Sequence, residues 1–214
     1  MKIYLTTVVL GVLLVMSSSL QGSEAKTSPS QPGGKGQQKT SRRIELPYRL
    51  PADYPAPREI LRKHFPRTAN QCCFKGGWGY DPDHATIILE FDPEINPDKK
   101  FDGVSLEYGF IDKRIREELI FARPEGKRFA GIGYKVIQQQ LLQLNGVPHD
   151  RITVQVIAYP EKEWDELKAD WDAHNGYKDD PAGRKANLQR KEAVKLTYRT
   201  EFWFNINNFF PRAK

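Results

Sequence analysis

Cys72 and Cys73 are the only cysteines in the 214-residue chain, and they stand directly before a run of rings and glycines, Phe74-Lys75-Gly76-Gly77-Trp78-Gly79-Tyr80. Adjacent Cα atoms lie about 3.8 Å apart across a trans peptide, below the roughly 4.4 to 6.8 Å that an unstrained disulfide spans. A bond closed between these two thiols is therefore strained and easily reduced, which is how a redox switch behaves. Two competing readings stay open: reduced thiols packed as small apolar groups, or a bridge to a second chain. There is no second cysteine pair, and the four histidines, His64, His84, His149 and His174, are scattered, so neither a metal site nor a cofactor is implied.

The glycines at 76, 77 and 79 permit unusual backbone angles and would display Trp78 and Tyr80 on a loop. An aromatic face adds contact area at little entropic cost, which suits a protein or carbohydrate ligand. The competing expectation is a turn whose rings fold back onto the core. Trp203, on the outer face of the last strand, is the third candidate binding ring. The segment is no phosphate loop, because no Gly-Lys-Ser or Gly-Lys-Thr closes it.

Catalytic signals are sparse. Ser105 is the only serine after Ser41, and Gly103-Val104-Ser105-Leu106-Glu107 lacks the second glycine of a nucleophile elbow. His149-Asp150 is the best acid/base candidate, against the plainer reading of turn residues bonded to their own backbone. Glu90 and Asp92 share a strand face, but in a domain with 26 acidic residues such a pair discriminates nothing. A cysteine nucleophile with a distant histidine remains an alternative.

Where the chain works is more legible. Lys2, the apolar run Ile3 to Met16 and the small residues around Ser23-Glu24-Ala25 have the layout of a secretory signal over residues 1–25. The run is shorter than the ~20 apolar residues of a spanning helix, so no stable membrane span is expected after cleavage. The expected location is periplasmic or extracellular. Residues 26–43, KTSPSQPGGKGQQKTSRR, hold no large apolar side chain and read as a disordered basic linker. This linker carries most of the formal +6, since residues 44–214 contain 27 basic and 26 acidic side chains. The basic pI of 9.2 therefore does not describe a basic domain face, and no nucleic-acid partner is expected.

Residues 44–214 must supply the scaffold. Prolines 47, 51, 55 and 57 keep the chain extended up to a short helix, Pro57 to Phe65, which Pro66 stops. ATIILEF at 85–91 predicts a strand. Val104, Tyr108, Ile111, Ile115 and Leu119 recur at helical spacing behind Asp102 as N-cap, with Asp112, Lys113, Arg116 and Glu117 on a solvated opposite face. A hairpin is expected from the runs 131–144 and 151–160 around Asn145-Gly146, although the first run also fits a helical face. Glu161 to His174 predicts a helix with core-facing Trp164, Leu167 and Trp171, and Pro181 to Ala193 a short polar one.

Residues 194–206 alternate apolar and polar as a strand with one face to be covered. The sum is a single α+β domain, a mainly antiparallel sheet with helices packed on one face. The function that fits is an exported, non-enzymatic binding protein. The alternatives are an envelope enzyme, thiol-dependent or hydrolytic, and a structural subunit that self-associates through the aromatic C-terminal strand.

Overall fold

Long alternating strands dominate this chain, and they dictate a sheet that needs an apolar lid. The computed structural model describes residues 49–70, 73–89 and 102–209. Residues 1–25, read as a signal, residues 26–43, read as a linker, and Cys72, Glu90 and Asp92 lie outside the described residues. Residues 44–214 form one compact unit.

The element order is α1 (Pro57–His64), α2 (Pro66–Ala69), β1 (Cys73–Gly76), β2 (Thr86–Leu89), α3 (Gly103–Arg116) with a π-helical turn (Glu117–Phe121), β3 (Phe129–Leu144), β4 (Val147–Pro160), α4 (Glu161–Ala173), a 3₁₀ turn (Asn175–Tyr177), α5 (Pro181–Val194) and β5 (Leu196–Asn205). Pro66 ends α1 as expected but also opens α2, because proline suits the first turn of a helix.

The five strands are ordered β1-β2-β5-β4-β3. Three of the four pairings are antiparallel, but β2 runs parallel to β5 through Thr86↔Phe204 and Ile87↔Asn205. The fold is therefore α+β with a mixed sheet, antiparallel in three pairings, in keeping with the mainly antiparallel sheet expected, and parallel in one that the sequence did not show. The reason is topological: the chain enters β5 after α3, a hairpin and two helices, a connection long enough to return in either direction.

β3 and β4 form the hairpin, so the strand reading of residues 131–144 holds over the helical one. Only Asn145 and Gly146 intervene, with φ of 50° and 79°, the two positive angles that match a hairpin's twist. On β4 the side chains of Ile152, Val154, Val156 and Ala158 are fully buried, as are Phe202 and Phe204 on β5. α3 covers this face. Asp102 caps it by accepting from the Ser105 backbone N–H at 3.3 Å, and Phe110, Ile111 and Ile115 are wholly buried beneath it. Phe110 lies 5.4 Å from Phe74, 5.9 Å from Trp78 and 5.7 Å from Phe204, centre to centre, and joins the Gly-rich segment to the sheet. Rings of this size each bury enough apolar surface to contribute about 1.5 to 3 kcal/mol.

Candidate functional site

The π-helical turn changes the reading of α3's outer face. Widening the helix by one residue turns both Glu117 and Glu118 inward, and both are buried, so Glu117 does not belong to the solvated surface expected for it. Glu117 accepts from the Tyr54 hydroxyl and lies 2.9 Å from His64 Nδ1, which ties α1 to the turn. Glu118 accepts from the Tyr80 hydroxyl at 2.6 Å and faces Arg114 Nε at 3.3 Å.

Arg114, fully buried, holds the Gly-rich segment onto β5. Its Nη1 donates to the carbonyls of Trp78 and Gly79 at 2.8 and 3.0 Å, and its Nη2 donates to Thr200 Oγ1 and the Glu201 carbonyl at 3.1 and 2.8 Å. The guanidinium lies 3.4 Å from the centre of the Phe202 ring and 4.4 Å from that of Tyr80. Burial raises the pKa of Tyr80 well above the phenolic range, and burial likewise raises Glu118, which the adjacent Arg114 charge opposes.

These contacts place the binding rings named from the sequence. Trp78 is 6 % exposed and donates through Nε1 to the Pro55 carbonyl at 3.0 Å, while Tyr80 braces the Arg114 cluster. Trp203 is buried, with the Arg151 guanidinium 5.4 Å from its ring centre. The Gly-rich segment brings Trp78 and Tyr80 to the core rather than to a displayed loop. Cys73 is buried on β1, and Arg58 Nη1 donates toward its sulfur at 3.3 Å. His149 is buried near the turn and its Nδ1 lies 3.0 Å from the Val147 carbonyl, which matches the backbone-bonded reading.

The open aromatic surface lies elsewhere. Glu161 begins α4 directly after Pro160, the last residue of β4, and α5 runs beside α4. Between them lies a groove of about 240 Å³ lined by Trp164, Leu167, Lys168, Trp171, Asn187, Leu188 and Lys191. Leu188 is 45 % exposed and both tryptophans are half-buried. Asp170 fixes the geometry by accepting from Asn187 Nδ2 at 2.8 Å, the Tyr177 hydroxyl at 2.7 Å and Arg190 Nη1 at 3.1 Å. The hydrogen bonds from Asn187 and Tyr177 hold its carboxyl below the usual range. Lys191 Nζ sits 5.1 Å from the Trp164 ring centre and 5.3 Å from that of Tyr159, poised on the groove's edge. A shallower hollow of about 450 Å³ adjoins it across Trp171 and adds Asp172, Lys178 and Arg184.

The groove residues were legible as a pattern but not as a site. Trp164, Leu167 and Trp171 form an i, i+3, i+7 stripe that reads as core. Among the described residues the helix that runs beside them, α5, is too polar to cover them, with Leu188 its one large apolar contribution to the groove. Among the described residues no group of three or more His, Cys, Asp or Glu side chains is placed to hold a metal ion. Comparison of the chain with protein-family models, curated proteins and solved structures finds no match, so function rests on this geometry.

Proposed function

We propose that the chain is an exported, non-enzymatic binding protein that takes an acidic amphipathic segment of another protein into the α4–α5 groove. The observation that carries this reading is the groove's lining: two half-open tryptophans and an exposed leucine beside two lysines, with no acid among them. Apolar floor and cationic rim together fit a segment that alternates large aliphatic or aromatic side chains with carboxylates. A sugar would need directional partners around the rings, and the one amide in the lining, Asn187, already commits its Nδ2 to the Leu167 carbonyl and Asp170. Export rests on the pattern of residues 1–25, with residues 26–43 as the tether. Among the described residues no helix is long and apolar enough to cross a membrane.

The test is selection of displayed random peptides on the full chain, followed by titration with Trp fluorescence as readout. Selected peptides should combine Leu or Phe with Asp or Glu, and Leu188→Asp and Trp171→Ala should each abolish binding while the thermal transition persists. Peptides that bind Leu188→Asp as tightly as the parent would refute the groove as the site.

A further inference from the structure

At the other end of the sheet, the start of α3 lies over the β3–β4 hairpin, and a carboxylate is enclosed there without a partner. Glu107 is 1 % exposed, and neither of its carboxylate oxygens has a hydrogen-bond partner. Asp150 on β4, 7 % exposed, likewise leaves Oδ1 unpartnered. A chain of hydrogen bonds from Tyr108, the neighbour of Glu107, through Gln139 to Asp150 ties the two acids to the same end of the sheet. Three buried carboxylate oxygens without donors are costly, because each has lost water and gained nothing.

The surroundings orient these oxygens instead of neutralising them. Gln139 Nε2 donates to Asp150 Oδ2, and the Tyr108 hydroxyl donates to Gln139 Oε1 at 3.1 Å. This chain fixes Asp150 by one oxygen and leaves the other for something else, the arrangement that outer partners impose on a ligating carboxylate. Both acids have exposed neighbours: Val104, one turn before Glu107, is 51 % exposed, and Leu141, the ladder partner of Asp150, is 54 % exposed.

We propose that Glu107 and Asp150 form a site for a hard divalent cation, held by the carboxylates of both residues and completed by water. The unpartnered atoms are all carboxylate oxygens, which selects the calcium, magnesium and manganese class over thiophilic metals. Two carboxylates match a double positive charge, whereas a monovalent cation leaves one negative charge buried. Sequence spacing shows nothing of this, since 43 positions separate the two acids and only the packing of α3 against the β3–β4 hairpin brings them to one end of the sheet.

The experiment uses the full chain, stripped with chelator, and titrates CaCl₂, MgCl₂ and MnCl₂ separately at pH 8.5 against NaCl of matched ionic strength. The readouts are thermal unfolding and calorimetry. At least one of the three ions should raise the transition temperature saturably, with the folded-to-unfolded ratio growing about 100-fold at a hundred times the dissociation constant. Glu107→Gln and Asp150→Asn should each remove the saturable response. A response to none of the three ions beyond the NaCl control would overturn the site. So would a response that both variants retain.

Discussion

Glu107→Gln in the presence of chelator should make the protein more stable at neutral pH, and by an amount the structure sets. Burial, reinforced by the charges of Asp150 and Asp102, raises the Glu107 carboxyl from its ordinary 4.5 to about 8. The groups that face it are Asp102 and Tyr108 from α3, Asp150 from β4 and Gln139 from β3. Below pH 4.5 the folded and unfolded chains both hold this proton, and the residue costs nothing. Between 4.5 and about 8 the unfolded chain releases it while the folded chain keeps it, so stability falls as pH rises and levels off above 8.

At about 1.4 kcal/mol per pH unit the loss is about 3 kcal/mol at pH 7 and about 5 kcal/mol above pH 8. Glutamine keeps the shape and cannot ionise, so the variant avoids this loss. Urea unfolding across pH 4 to 9 measures it: the two proteins should coincide near pH 4.5 and separate by about 1.5 M in midpoint at pH 7, for a slope of ~2 kcal/mol/M. Parallel curves across that range would show that Glu107 ionises in the fold as it does in water, and the reasoning from its burial would fail.

Arg114→Met should be among the most damaging substitutions in the domain. It leaves Glu118 buried opposite no cation and strips donors from three carbonyls and a hydroxyl, a loss of about 3 to 5 kcal/mol and about 10 °C in a domain of this size, read by calorimetry. Adding Glu118→Gln to it should recover part of that loss, and strict additivity would show that the two are not coupled. Gly131→Ala should perturb the groove from beneath: Gly131 has φ of 57°, and a Cβ there would lie 2.7 Å from the Trp164 ring. The backbone alone costs about 1 to 2 kcal/mol, and displacement of the ring should shift Trp emission and weaken peptide binding. Unchanged emission would mean that the ring does not rest on this strand.

What the sequence revealed and what it hid follow one physical division. Features set by neighbours along the chain were readable: Asp102 as a cap, Asn145-Gly146 as a hairpin turn, the alternation of Phe202 and Phe204, and the two helices that follow β4. Features set by partners distant in sequence were not. The parallel pairing of β2 with β5 depends on a crossover of more than a hundred residues. The inward turn of Glu117 depends on a π-helical register that no periodicity announces, and on Tyr54 and His64 to receive it. Trp78 and Tyr80 could be read as displayed or, somewhat better, as folded back. The deciding residue was Arg114, whose guanidinium holds the segment to the sheet but whose position on α3 looks, in sequence, like any exposed arginine. Trp164 and Trp171 failed in the opposite direction, because a helical stripe reports that something must cover it and not whether anything does.

The two proposed sites lie toward opposite ends of β4, and their separation makes them independent tests. Asp150 lies near the start of the strand and Tyr159, under Lys191 and beside Trp164, near its end. Nine residues at about 3.3 Å place them about 30 Å apart, well beyond the roughly 10 Å over which substitutions usually couple. The intervening strand is stiff, since four of its side chains are fully buried and it is paired along both edges. Leu188→Asp should therefore leave the cation response intact, and Glu107→Gln should leave peptide binding intact. Coupling between them would mean that β4 moves as a lever between two arrangements, which a strand bonded on both sides and packed under α3 is poorly built to do.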